Sequence, residues 1–171
     1  AVLVLLAVLT WCPTGVYRNL EVLWRHTLAH NPGCWMAHDN LGLYFTESGR
    51  FAEAEEHYRD AIQIRPNDYK AYYDLGLQAA IRGNLPDAAE NFNKTLELAP
   101  SFTMAHYQIA NVFAREGSLD AAIREYDATL KSMPDLVVAH FNLANVIAPN
   151  GNIAGAIEDY NRTLEQQPDY A

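Results

Sequence analysis

Basic residues are scarce in this sequence: 12 Lys and Arg stand against 21 Asp and Glu, a formal net charge of -9 at pH 7. Nucleic acid demands Lys and Arg to neutralise its phosphates, so the balance argues against that partner. It argues equally against a basic helix lying on a membrane surface. Cysteine is nearly absent. Cys12 and Cys34 make neither a CxxC metal spacing nor a disulfide framework, and they leave the redox compartment open. There is no nucleophile elbow, no phosphate-binding loop and no HExxH, and no alternating β-strand pattern. What the chain has in quantity is apolar: 50% of its 171 residues are hydrophobic, enough to bury a core within a length that suits one domain.

Proline and glycine are few, at 8 and 9, but their placement is regular. Proline falls at Pro32, Pro66, Pro100, Pro134 and Pro168, each step being 34 residues. Glycine keeps the same phase at Gly15, Gly49, Gly83, Gly117 and Gly151. So do Ala54, Ala88, Ala122 and Ala156, and the aromatics Trp24, Tyr58, Phe92, Tyr126 and Tyr160. A further column, Leu41, Leu75, Ile109 and Leu143, is followed directly by Gly42, Gly76, Ala110 and Ala144. A shared phase over so many columns marks an internal repeat. Between these marks the apolar spacing is helical: Phe51, Ala54, Tyr58, Ala61 and Ile62 recur three and four apart. Each unit reads as helix, glycine turn, helix, proline turn. Glycine accepts the positive φ that follows a helix C-terminus, and proline cannot continue a helical ladder. Pro86 suits the opening turn of a helix after Asn84, whereas Pro149 should shorten or kink the helix before it by one turn.

These residues resemble the tetratricopeptide repeat (TPR) family. The first full unit carries the pair Leu41–Gly42, the aromatic Phe45, then Ala54, Tyr58, Ala61 and Pro66. The next keeps Leu75, Gly76, Ala88, Phe92 and Pro100. The later units are looser, with Ala110 and Ala144 in place of glycine, and the tryptophan of the family pattern is His38, Tyr72, His106 and His140 here. The resemblance implies an all-α fold: a right-handed superhelical solenoid of antiparallel helix pairs, first helices lining a concave groove. The units expected are 35–68, 69–102, 103–136 and 137–168, with 169–171 opening a further one. The chain starts at Ala1 and stops at Ala171 without a cap, and reads as a piece of something longer.

Residues 1–34 keep the phase through Gly15, Trp24 and Pro32, so 16–30 can be the second helix of a degenerate repeat. Residues 1–11 are apolar on every side, with no charge before Arg18. They read as a buried first helix or as the end of a membrane span, since a full span needs about 20 residues. A signal peptide fits least, for want of a basic start and a cleavage site. The stretch from Tyr17 to Gly42 resembles the junction after the last membrane helix in polytopic proteins with TPR tails, the transmembrane O-mannosyltransferases among them. That likeness implies a membrane tether and carries none of the transferase chemistry.

Helix geometry selects a groove face of Asn40, Leu43, Tyr73, Asp74, Leu77, Tyr107, Gln108, Asn111, Phe141, Asn142 and Asn145. One column reads Asn40, Asp74, Gln108, Asn142, and the one beside it Asp39, Tyr73, Tyr107, Phe141. Carboxamides both donate and accept, so a ladder of them can pair with the backbone of an extended peptide without reading its sequence. The column resembles the asparagine ladder in the TPR region of O-GlcNAc transferase. The alternative is that the polar groups only solvate a concave face while the tyrosines brace adjacent helices. A carboxylate clamp of the chaperone-binding kind is not expected, because Lys70 and Arg115 are the groove's basic residues and stand apart. His38, His106 and His140 share a column, but successive helices lie about 8–10 Å apart, too far for ligands to one metal.

The expected function is therefore non-catalytic: a scaffold binding a protein or extended peptide, with no cofactor, metal or nucleic acid, in a larger and membrane-anchored parent. The alternative is a spacer that self-associates through its apolar N-terminal helix or its open C-terminal end. Localisation is left open.

Overall fold

The computed structural model describes residues 20–169, so the expectations for 1–19 lie outside the described residues. Among the described residues there are nine helices and no strand: α1 Leu20–His30, α2 Trp35–Glu47, α3 Phe51–Ile64, α4 Tyr69–Ile81, α5 Leu85–Leu98, α6 Thr103–Arg115, α7 Leu119–Ser132, α8 Val137–Ile147 and α9 Ile153–Gln166. The all-α repeat architecture expected from the 34-residue phase is the one observed. None of these helices is long and apolar enough to cross a membrane.

The glycines end the first helix of each pair as the phase requires. Gly49, Gly83, Gly117 and Gly151 have φ of 72°, 79°, 79° and 89°. After Gly49, Gly83 and Gly117 the next residue donates back to the third-last helical carbonyl, as Arg50 N to Phe45 O at 2.8 Å and Asn84 N to Ala79 O at 2.9 Å, whereas Asn152 N reaches the last carbonyl of α8, Ile147 O, at 3.1 Å. The partner bond runs from the glycine itself, as Gly49 N to Thr46 O at 3.0 Å, which completes a Schellman motif and satisfies carbonyls the helix leaves open. Pro86 sits in the first turn of α5, where the Asn84 side chain accepts from Asp87 N. Pro149 acts more gently than expected. α8 has 11 residues against 13 in α2, α4 and α6, a loss of about half a turn. The ring bars continuation only close to itself, and Ala148 still donates to Ala144 O at 3.1 Å.

The chain divides into two compact units, Ala1–Ala71 and Tyr72–Ala171, with the division falling inside α4. In the first, α1 packs on α2 and α2 on α3. Ala37, Leu41, Phe45, Ala54, Tyr58 and Ala61 are its buried apolar residues on α2 and α3. In the second, α5 packs on α6, α6 on α7, α7 on α8 and α8 on α9. One cluster joins Ala79, Ala88, Phe92, Ile109 and Val112; another joins Ala110, Ala122, Tyr126, Ala139, Leu143, Ala144, Val146, Ile147 and Ala156.

Within a pair, the small residue of the first helix faces the aromatic of the second. A Cβ added at Gly42 would lie 2.6 Å from Tyr58 Cε1, and one at Gly76 would lie 2.5 Å from Phe92 Cε1. Both rings are buried and cannot retreat into solvent. Gly76→Ala therefore gains helix propensity worth about 1 kcal/mol but overpacks the hairpin by about 1–3 kcal/mol. The expected net result is a lower urea midpoint, measured by far-UV circular dichroism; an unchanged or higher midpoint would show that the ring moves freely.

Candidate functional site

The candidate residues fall on the first helices, α2, α4, α6 and α8, because residues three and four apart share a helix face. Within the second unit they form a connected network. Asn142 Nδ2 donates to the Tyr107 hydroxyl and to Asn111 Oδ1, each at 3.0 Å. The Tyr126 hydroxyl donates to the same Asn111 oxygen at 2.6 Å. Asn111 Nδ2 donates to Gln108 Oε1 at 3.1 Å, and Gln108 Nε2 approaches the Tyr73 hydroxyl at 3.5 Å. Tyr160 donates to Asn145 Oδ1 at 2.7 Å. Desolvation pushes the Tyr73 phenol above its ordinary pKa, and does so more strongly for Tyr126. Both therefore remain neutral hydrogen-bonding groups across the physiological range.

The aromatic column packs inward on its own hairpins. Tyr73 lies 5.7 Å from Phe92 and edge-on to Phe102 at 5.0 Å; Tyr107 lies 6.2 Å from Tyr126, and Phe141 5.9 Å from Tyr160. These rings support the amides from behind. What opens to solvent is a pair of hollows. One, of about 400 Å³, is lined by Leu77, Ala80, Ile81, Gln108, Asn111, Val112 and Arg115. The other, of about 280 Å³, is lined by Asn111, Ala114, Arg115, Tyr126, Asn142, Asn145 and Val146. They share Asn111 and Arg115. Arg115 is held by a 2.8 Å bond from Nη1 to the Ala80 carbonyl, and it places a cation at the meeting point. A larger hollow of about 600 Å³ lies elsewhere, lined by Pro100, Ser101, Thr103, His106, Ala128, Lys131 and Ser132. Its wall lacks large apolar side chains, so it offers little to anchor a partner.

Of the expected face, Leu77, Gln108, Asn111, Asn142 and Asn145 thus line the hollows. Tyr73, Tyr107 and Phe141 stand behind them, and Asp74 is half-buried on α4. Arg115, expected as one of the groove's two cations, lines both hollows, and Val112 and Val146 join the lining although the expected set omits them. In the first unit Leu43 is 49% exposed, but Asn40 donates to the Met36 carbonyl of its own helix at 2.6 Å. One Asn40 hydrogen is thereby spent locally. Beside it, Asp39 Oδ1 is buried with no hydrogen-bond partner among the described residues. Burial, with Asp68 nearby, raises the Asp39 pKa, and Lys70 only partly opposes this.

The column histidines face the second helix of their own pair. His106 Nδ1 meets Glu125 Oε2 and His140 Nδ1 meets Asp159 Oδ1, each at 2.7 Å. Comparison along the column alone could not reveal these partners, which lie 19 residues further on.

With this geometry in view, the comparisons are consistent. The tetratricopeptide repeat family model matches residues 23–69, 40–102, 73–136 and 107–171. The chain belongs to the tetratricopeptide repeat family. Among solved structures, it is similar to MamA at 20% identity, covering 85% of each chain with a TM-score of 0.78. It is similar to YrrB, described as a TPR protein with an unusual peptide-binding site, at 22% identity, covering 91% of this chain and 79% of that one with a TM-score of 0.74. It is also similar to pilF of Pseudomonas aeruginosa at 16% identity, covering 85% and 67% of the two chains with a TM-score of 0.79. Identities this low speak to the fold. No curated protein sequence matches the chain.

The raised pKa of Asp39 has a consequence for stability. A carboxyl that holds its proton more tightly when folded contributes most below its unfolded pKa of about 3.9, and that contribution is lost as pH rises through the folded value. At neutral pH the charged, poorly solvated Asp39 therefore works against folding. Asp39→Asn should raise the thermal midpoint at neutral pH, with the gain shrinking below about pH 4. A gain equal at both pH values would contradict this origin.

Proposed function

We propose that the chain is a non-catalytic scaffold whose inner face, around Gln108, Asn111, Asn142 and Asn145, docks an extended peptide. The supporting observation is the pair of adjoining hollows, whose floors are apolar (Leu77, Val112, Val146) and whose polar groups are carboxamides fixed by tyrosines. Fixed amides lose little side-chain freedom on binding, which lowers the entropic cost of docking. Asn142 spends its Nδ2 hydrogens inside the network and keeps Oδ1 as an acceptor for an incoming backbone N–H. Asn111 has one Nδ2 hydrogen left to donate to a carbonyl. With Arg115 the one cation among the lining side chains and a net charge of -9, the chain favours a peptide that is not strongly acidic overall. YrrB, which shares the fold, is described as having a peptide-binding site. The apolar run 1–11 is the support for a membrane tether in the parent protein.

The test is selection from a library of unstructured peptides, followed by anisotropy titration of those enriched. Asn142→Ala should weaken binding about tenfold, the equivalent of about 1.4 kcal/mol. Tyr107→Phe, which keeps the carboxamide, should weaken it less. Failure to enrich any peptide, or equal binding by Asn142→Ala, would contradict the reading.

A second reading, association between copies, is favoured by the apolar stripe of α9: Ile153, Ile157 and Leu164 are 57%, 55% and 46% exposed. Sedimentation would decide it, since Ile157→Glu should convert any dimer to monomer and leave a monomeric chain unchanged.

A further inference from the structure

The first helix pair departs from the others at one place. In the pairs α6–α7 and α8–α9, a histidine on the first helix faces a carboxylate on the second, His106 to Glu125 and His140 to Asp159. In the pair α2–α3 the carboxylate is replaced by a second histidine. His38 Nδ1 lies 3.0 Å from His57 Nδ1 and 3.3 Å from Asp60 Oδ2. One donor atom from each of the three residues falls within 4.8 Å of the others. Asp60 is one helical turn beyond His57 on α3, so both project toward α2. The positions in phase with Asp60 are Lys94, Ala128 and Arg162. A third donor thus occurs only in the pair that carries two histidines.

We propose that His38, His57 and Asp60 form a binding site for a divalent cation of the zinc type, which staples α2 to α3. Two imidazole nitrogens and a carboxylate oxygen are the donor set such an ion takes, with water completing the shell. Bonds of about 2.0–2.1 Å in a tetrahedral shell put donor atoms about 3.3–3.4 Å apart. The observed 3.0 and 3.3 Å need adjustment by a few tenths of an ångström. The ring of His38 is already braced for this role. Its Nε2 faces the Pro32 carbonyl at 3.3 Å, which accepts the ring hydrogen and leaves the Nδ1 lone pair to the site. His57 stacks on Phe45, centroids 5.4 Å apart and planes 15° from parallel, which fixes its ring. Burial, together with His38, lowers the His57 pKa, so it is offered as the neutral base that a metal requires. Of the charged neighbours, Asp60 and Glu56 favour a cation and Arg25 opposes one.

Cobalt(II) is the probe, because its four-coordinate complexes absorb visible light far more strongly than its six-coordinate ones. Titration of the full chain should develop a visible band that saturates near one equivalent, and zinc(II) should bleach it and raise the thermal midpoint. His57→Asn, which installs the residue standing in phase at Asn91, should keep the helical circular dichroism and lose the band. Asp60→Asn should weaken or abolish it. His106→Asn, Cys34→Ser and the double variant His26→Asn with His30→Asn should keep it; the last pair is tested because its rings lie 4.4 Å apart on α1. No band in the native chain, a band that survives His57→Asn, or one lost with His26 and His30 would overturn the proposal.

Discussion

Two short helices cannot bury enough surface to stand alone, so the structure depends on how closely each pair can approach. That approach is set by a small residue on the first helix lying under an aromatic ring on the second. At Gly42 and Gly76 there is no room for a methyl group above the backbone. Buried Ala54, Ala88, Ala122 and Ala156 repeat the condition on the second helices. Once the pair closes at this distance, the left-handed glycine turn and the first-helix face follow from it. The inner face is thus a consequence of packing on the opposite side of the same helices.

The polar residues of that face are organised by the same aromatics. Tyr126 fills the hairpin with its ring and reaches Asn111 with its hydroxyl. One side chain therefore links core packing to the orientation of a surface carboxamide. A ladder built this way is stiff, and stiffness suits recognition of a backbone, whose groups recur at fixed intervals. It suits less well the discrimination of one side chain from another, which the proposed docking would leave to the apolar lining at Leu77, Val112 and Val146.

Much of the fold could be read in the sequence, because glycine, proline and alanine act locally and their phase is visible by eye. The candidate face was readable as a set of positions but not as a set of roles. Helical spacing places Tyr73 and Tyr107 beside the amides. It does not say whether their rings point outward or lean on Phe92 and Tyr126, as they do. Nor does it show that Asn40 turns to its own helix. Pro149 was expected to remove a whole turn and removes about half, since its ring obstructs only the last carbonyls it meets. The histidines' partners were out of view for a related reason. Their column runs along the repeat, whereas their partners lie across the hairpin, 19 residues on.

The most direct measurement is a backbone and side-chain amide NMR titration of the chain with a peptide it selects. The account predicts that the carboxamide signals of Gln108, Asn111, Asn142 and Asn145 move together, with those of α7 and α9 little changed. Shifts centred on the second helices, with the inner amides still, would contradict it.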